Sequence, residues 1–295
     1  MRWERGRRSD NIEDQRDGSG GGGLASGGIK AGGIGAVIIV VVGLASGQDP
    51  MQILNSLVQY NNEQSGSSVS SSSNSTTHTA PRNDVAGEFV AHIHGSNEDV
   101  WRKILPEQAR INYRVSKLVY FERNVRSACG QASSAMGPFY CPADQKAYID
   151  LGFFHELEAM GGKGDFAQAY VIAHEMGHHI QNLVGTSMKV HRMQQRSSET
   201  VSNRLSVLME LQADCYAGIW AHHSQRQLDW LEAGDIEEGL QAAASIGDDR
   251  LQRNAGQQVN PEGFTHGTSK QRSYWLTVGI KYGDMQRCDT FAAAQ

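Results

Sequence analysis

The segment Phe166 to Leu183 carries His174, Glu175 and His178 in the spacing His-Glu-x-x-His. Apolar side chains at Ala169, Ile172, Ala173, Met176 and Ile180 recur with helical period, Gly164-Asp165 supplies a start and Gly185 a stop, so the pattern predicts a helix. Residues four apart share one helical face, which places both imidazoles beside a single ion. Zn²⁺ suits imidazole nitrogen, and two such ligands make half of a tetrahedral shell. Glu175 is then free to act as general base on a zinc-activated water. Such a helix also constrains the fold, because a further ligand must be carried onto it from another part of the chain.

A third histidine does not follow at metzincin spacing: Gln181 and Val184 occupy the positions where that pattern has Gly and His. Downstream, Glu210 and Asp214 are again four apart on a predicted helix, among Leu208, Leu211, Ala213, Ala217 and Trp220. That apolar company points to a buried helix, and buried carboxylates need partners. Glu210 is the candidate third zinc ligand. Asp214 is the candidate acceptor for the other ring nitrogen of a ligating histidine, His174 first, fixing its tautomer. One Zn²⁺ per chain is expected, held by His174, His178 and Glu210.

The pair His-Glu-x-x-His and Glu-x-x-x-Asp resembles the gluzincin pattern. With Cys129-Gly, Gly137-Pro-Phe-Tyr-Cys-Pro142, Tyr148-Ile-Asp-Leu151 and Phe264 to Arg272, the chain resembles more specifically the bacterial neutral zinc metallopeptidase family (YpfJ-like) over nearly its whole length. The resemblance implies a zincin-like α+β fold, mainly helical, with a small sheet before the His-Glu-x-x-His helix. It implies a peptide substrate laid along a strand edge, held by backbone hydrogen bonds. Met136–Tyr140 and the 123–128 stretch are the candidate edges. In membrane gluzincins, segments like Thr265-His266 through Arg272 close the catalytic domain, which makes His266 a candidate donor to the reacting carbonyl oxygen.

Around these residues the chain reads as several dissimilar regions without internal repeats. Strands are predicted over 117–125, at Phe139-Tyr140 and over 147–151. A helix is predicted over 97–105 with Ser96 as its cap, preceded by His92 and His94, whose H-x-H spacing raises a weak second metal reading. Further helices are predicted at Phe153–Ala159, over 188–225 with an interruption near 196–200, over 235–246, and up to Tyr282. Net charge is −5 and no basic stripe appears, which argues against a nucleic-acid surface.

Before the catalytic region lie residues 1–30, expected to form a cytoplasmic polar tail, disordered over 1–23 and bearing Arg2, Arg5, Arg7, Arg8 and Arg16. Residues 31–47 are uncharged and apolar and are expected to form a single-pass transmembrane anchor, with a cleaved signal peptide as the rival. Residues 48–83 form a Ser-rich linker, and 84–295 the metallopeptidase domain. Arginines before the apolar run and no Lys or Arg from Gly47 to Pro81 predict, by the positive-inside rule, an inner-membrane protein with a periplasmic or extracellular catalytic domain. There the four cysteines, Cys129, Cys141, Cys215 and Cys288, are expected to be oxidised. Three pairings are open, and Cys129–Cys141 with Cys215–Cys288 is preferred. The functional expectation is a membrane-anchored zinc metalloendopeptidase. A zinc amidase acting on cell-wall peptides, or a non-catalytic membrane scaffold, is the alternative.

Overall fold

The computed structural model describes residues 1–16 and 84–293; the expected anchor at 31–47 and linker at 48–83 lie outside them. No helix among the described residues is long and apolar enough to cross a membrane. The fold is mainly helical with a small mixed sheet, as the sequence leads one to expect.

Helix α1, Val85–Ile104, begins where the Asp84 carboxylate accepts a hydrogen bond from the Gly87 amide at 3.0 Å. Its buried face is Phe89, Val90, Ile93, Val100, Trp101 and Ile104. The helix runs straight through Ser96. The expected cap is absent because the Ser96 hydroxyl instead accepts from the Trp220 indole at 3.0 Å. His92 and His94 do not converge on an ion. Each ring lies against a backbone carbonyl, His92 Nδ1 at 2.7 Å from Gly6 and His94 Nε2 at 3.0 Å from Ser116.

Strands β1 Ile12–Asp14, β2 Lys117–Phe121, β6 Lys146–Asp150 and β5 Phe139–Cys141 form one sheet in the order β1-β2-β6-β5. β1, β2 and β6 are parallel, and β5 is antiparallel to β6 at the far edge. β2 and β6 are apolar on both faces because both faces are covered. The expected strand over 117–125 ends at Phe121. The chain turns there through Arg123, which has positive φ, into a separate hairpin, β3 Asn124–Ser127 with β4 Gly130–Ser133.

Residues 1–16 are not a tail. They pack on the domain and supply its edge strand β1, with Ile12 opposite Leu118 and Asp14 opposite Tyr120. Over residues 1–16 the expectation of disorder fails, because the arginines and acids of this segment find partners in the domain, while 17–23 lie outside the described residues. The Glu13 carboxylate receives Lys117 at 2.7 Å and Lys146 at 2.8 Å. Ser9 donates its amide to Ala91 at 3.0 Å. Gly95 admits the Arg7 backbone so closely that a Cβ there would stand 2.0 Å from the Arg7 carbonyl oxygen.

The helical layer comprises α2 Phe153–Ala159, α3 Asp165–Leu183, α4 Thr186–Gln194, α5 Glu199–Leu228, α6 Asp235–Ser245, α7 Asp248–Asn254 and α8 Ser269–Tyr282. The predicted interruption near 196–200 separates α4 from α5. Helix α7 was not legible in the sequence pattern. α5 and α8 meet through glycines: a Cβ on Gly218 would lie 2.3 Å from the Leu276 carbonyl oxygen, and one on Gly279 would lie 2.0 Å from that of Cys215. Both disulfides are present, Cys129–Cys141 joining the β3–β4 hairpin to β5, and Cys215–Cys288 joining α5 to the C-terminal segment.

Candidate metal centre

α3 places His174 and His178 on one face, and α5 brings Glu210 to the same point. The His174 Nε2 lies 3.1 Å from Glu210 Oε2, and the His178 Nε2 lies 3.4 Å from Glu210 Oε1. Ligands about 2.0–2.1 Å from a tetrahedral zinc stand roughly 3.3–3.4 Å apart, so these separations suit one such ion. His174, His178 and Glu210 each offer one ligand atom within 4.8 Å of the others. A second acidic group, Asp165, Asp235 and Glu238, is paired with the Met1 amino group, which lies 2.7 Å from Asp165 and 3.4 Å from Asp235.

The remaining ring nitrogens are committed elsewhere. His174 Nδ1 donates to Asp214 at 2.8 Å, and His178 Nδ1 to the Gln181 side-chain oxygen at 2.9 Å. With Nδ1 the donor on both rings, both Nε2 atoms are directed at the shared point, and loss of an Nε2 proton leaves the tautomer a divalent ion requires. Gln181 is itself held: its amide donates to the Met209 carbonyl at 2.7 Å and to Gln212 at 3.1 Å. Asp214 is fully buried and receives the Arg272 guanidinium on both oxygens, each at 3.0 Å, together with the Tyr170 hydroxyl. Arg272 also donates to Tyr170 at 3.1 Å.

These contacts set the charges. Burial opposes ionisation of Asp214, but Arg272 and His174 hold its pKa below the ordinary carboxylate range. Burial likewise disfavours a charged His174, yet Asp214 and Glu210 push its pKa up to about 10. Glu210 is held well below its ordinary value by His178 and His174, against the cost of burial. Glu175 behaves oppositely: burial raises its pKa and the two histidines offset this only in part. A carboxyl poised upward in this way is suited to proton transfer near neutrality.

His266 stands across the site, close enough to Glu210 for each charge to shift the other. Asp248, the first residue of α7, organises it. One Asp248 oxygen accepts the backbone amides of Thr265, His266 and Gly267 at 2.8, 2.7 and 2.9 Å, and the other lies 3.2 Å from His266 Nδ1. Although the His266 side chain is 48% exposed, partial desolvation on the site side opposes its charge; the Asp248 hydrogen bond and the Glu210 charge prevail and raise its pKa.

β5 is the sheet edge nearest this helix and is tied to it. Tyr140 donates its hydroxyl to His179 Nδ1 at 2.9 Å and accepts from the Asn182 amide at 3.1 Å, while His179 Nε2 donates to the Arg114 carbonyl at 2.7 Å. Burial lowers the His179 pKa to about 4, which keeps this ring neutral. Of the two expected edges, Phe139-Tyr140 belongs to the sheet that abuts α3, and the 123–128 stretch lies in the separate hairpin.

Sequence reasoning missed Asp248, Tyr170, Gln181 and Tyr140. Arg272 and Asp214 both stood in segments already singled out, but their pairing was not foreseen. The only available signal for Gln181 was its position on the His178 face three residues on.

This geometry, two histidines one helical turn apart with a glutamate from a second helix, is that of a candidate zincin-type metal centre. The chain belongs to the family described as "Putative neutral zinc metallopeptidase", which it matches over residues 1–291. It is 44% identical over 293 residues to the uncharacterized protein YpfJ of Escherichia coli K12, covering 99% of both chains. It is 43% identical over 210 residues, 68% of each chain, to the uncharacterized protein Rv2575 of Mycobacterium tuberculosis H37Rv. No solved structure matches.

Proposed function

We propose that this protein is a zinc metalloendopeptidase whose ligands are His174, His178 and Glu210 and whose general base is Glu175. The observation that carries the reading is the convergence of both Nε2 atoms on Glu210 while each Nδ1 is committed to a hydrogen-bond acceptor. Bound zinc supplies Lewis acidity, polarising the scissile carbonyl and lowering the pKa of water. Glu175 takes the proton from the attacking water and delivers it to the leaving amine. His266, oriented by Asp248, donates to the oxyanion that develops on the carbonyl. Asp214, with Arg272 and Tyr170 behind it, holds the His174 ring in place and keeps its Nε2 free of a proton when metal binds.

β5 supports a peptide substrate over the amidase alternative. It ends the sheet among the described residues, so its outer backbone groups can receive an extended chain. Tyr140 fixes the height of that strand over α3. The two disulfides favour a domain that works in an oxidising space outside the cytoplasm. Retention of Glu175 disfavours a scaffold, which has no use for an uncoordinated buried carboxyl.

The test is Glu175→Gln in the full-length protein. Zinc content should stay near one per chain, and cleavage of an unfolded protein substrate should fall by about 10²–10⁴. Undiminished cleavage by a zinc-loaded variant would overturn the mechanism.

A further inference from the structure

We infer that residues 1–16 and residues 84–293 stand on the same face of the membrane. The proposal starts from the two ends of the chain between them. The Arg16 guanidinium pairs with Asp14 and also with Asp84, the cap of α1, so the last described residue before that stretch is clamped to the first described after it.

The rest of the N-terminal segment is bound as firmly. β1 pairs in register with β2 over three residues. Arg7 holds Glu98 and Asp99, and Arg8 holds Glu88 at 3.0 Å. Glu98 is fully buried, and its other oxygen accepts from Asn11 of the same segment at 2.6 Å. Arg2 and Arg5 reach Glu232 and Asp229 at the far end of α5. All five arginines of this segment therefore face acids of the domain.

Those same arginines, followed by the apolar run Ile34–Leu44, form a topogenic pattern for an anchor with its N-terminus inside and its catalytic domain outside. The two arrangements exclude each other. A hydrocarbon core is about 30 Å thick, whereas every pair named here lies within 4.0 Å. One crossing between residues 16 and 84 would strip β2 of its neighbour and leave Glu98 buried without Arg7 and Asn11, an arrangement with a large desolvation cost. Residues 1–16 and 84–293 therefore share one side, and a single crossing between them is excluded. Which side that is rests on the exported-domain reading above; that the two segments share it does not.

Sidedness labelling of the full-length protein in bacterial inner membranes tests this. Asp10→Cys and Lys103→Cys, made singly, put a thiol on an exposed residue of each segment. A membrane-impermeant maleimide is applied to spheroplasts and, in parallel, to detergent-permeabilised cells; if either variant is unreactive after permeabilisation, Glu4→Cys and Glu107→Cys replace the pair. We expect both thiols to label in spheroplasts to the same extent, within about twofold. If both label only after permeabilisation, the shared face stands and the exported-domain reading falls. If the residue 103 site labels in spheroplasts while the residue 10 site requires permeabilisation, the proposal is overturned and a single crossing takes its place.

Discussion

Gly177 faces Ala213 across the contact between α3 and α5 with no room for a methyl group: a Cβ on Gly177 would stand 2.9 Å from the Ala213 carbonyl oxygen. Gly177 lies between the two histidines and Ala213 immediately precedes Asp214, so this contact sets how closely Glu210 approaches both rings. Gly177→Ala adds helix propensity and would stabilise an isolated helix by about 1 kcal/mol. Here it should push α5 outward and weaken zinc binding by at least about tenfold. A zinc titration against a chromogenic chelator decides this, and affinity equal to the parent protein's would refute it.

Asp214→Asn should have two separable effects. Zinc affinity should fall by about 10–100-fold, because His174 loses the anionic acceptor that fixes its tautomer and strengthens it as a ligand. Arg272, 2% exposed, would lose its charge partner. Breaking a buried pair on one side costs about 3–5 kcal/mol. Thermal unfolding of the metal-free proteins checks the second effect. Asp214→Asn with Arg272→Met should recover much of the stability and none of the affinity.

Zinc binding should release protons, with a definite sign. The His174 pKa stands at about 10, so below that pH the ring carries a proton that the metal must displace. Affinity should therefore rise with pH from about 6 to 9 and fall on acidification. Calorimetry at one pH in buffers of differing ionisation enthalpy reads the release directly. A binding enthalpy independent of the buffer would show that His174 is already neutral.

Acid should loosen the N-terminal segment. Burial opposes ionisation of Glu13 and Glu98, but Lys117 and Lys146 hold the first, and His94 and Arg7 the second, below the ordinary value of 4.5. A depressed folded-state pKa contributes stability that is fully present above the unfolded value and is lost as pH falls through the folded one. Urea midpoints should therefore stay level above about pH 5.5 and decline below about pH 4.5. Glu13→Gln should flatten part of that decline; an identical pH profile for the two proteins would count against the assignment.

Much of the centre could be read without coordinates because its elements are local. His174 with His178, and Glu210 with Asp214, are each a single helical turn, and helical period is written in the apolar positions around them. The helices at Phe153–Ala159 and Asp235–Ser245, the break between α4 and α5, and the strands at Phe139–Cys141 and Lys146–Asp150 were legible for the same reason. Asp248 was not, because its three backbone donors arrive from a loop 17 to 19 residues away in sequence, and only the path of that loop brings them back.

By itself, then, the sequence determined which side chains share a helical face, and with them the candidate metal-ligating pair, the candidate base beside it and the chemistry proposed for them. Tertiary structure alone decided that α3 and α5 close to the distance of Gly177 against Ala213, that Arg272 stands behind Asp214, and that residues 1–16 dock on the domain and supply strand β1. The reason is the same in each case. A run of arginines, acids and glycines looks solvated when read along the chain, because nothing local can satisfy it. Arg7 and Glu98 acquire their meaning only when folding sets them side by side, since ion pairs and close glycine contacts depend on distance in space and leave no period in the sequence.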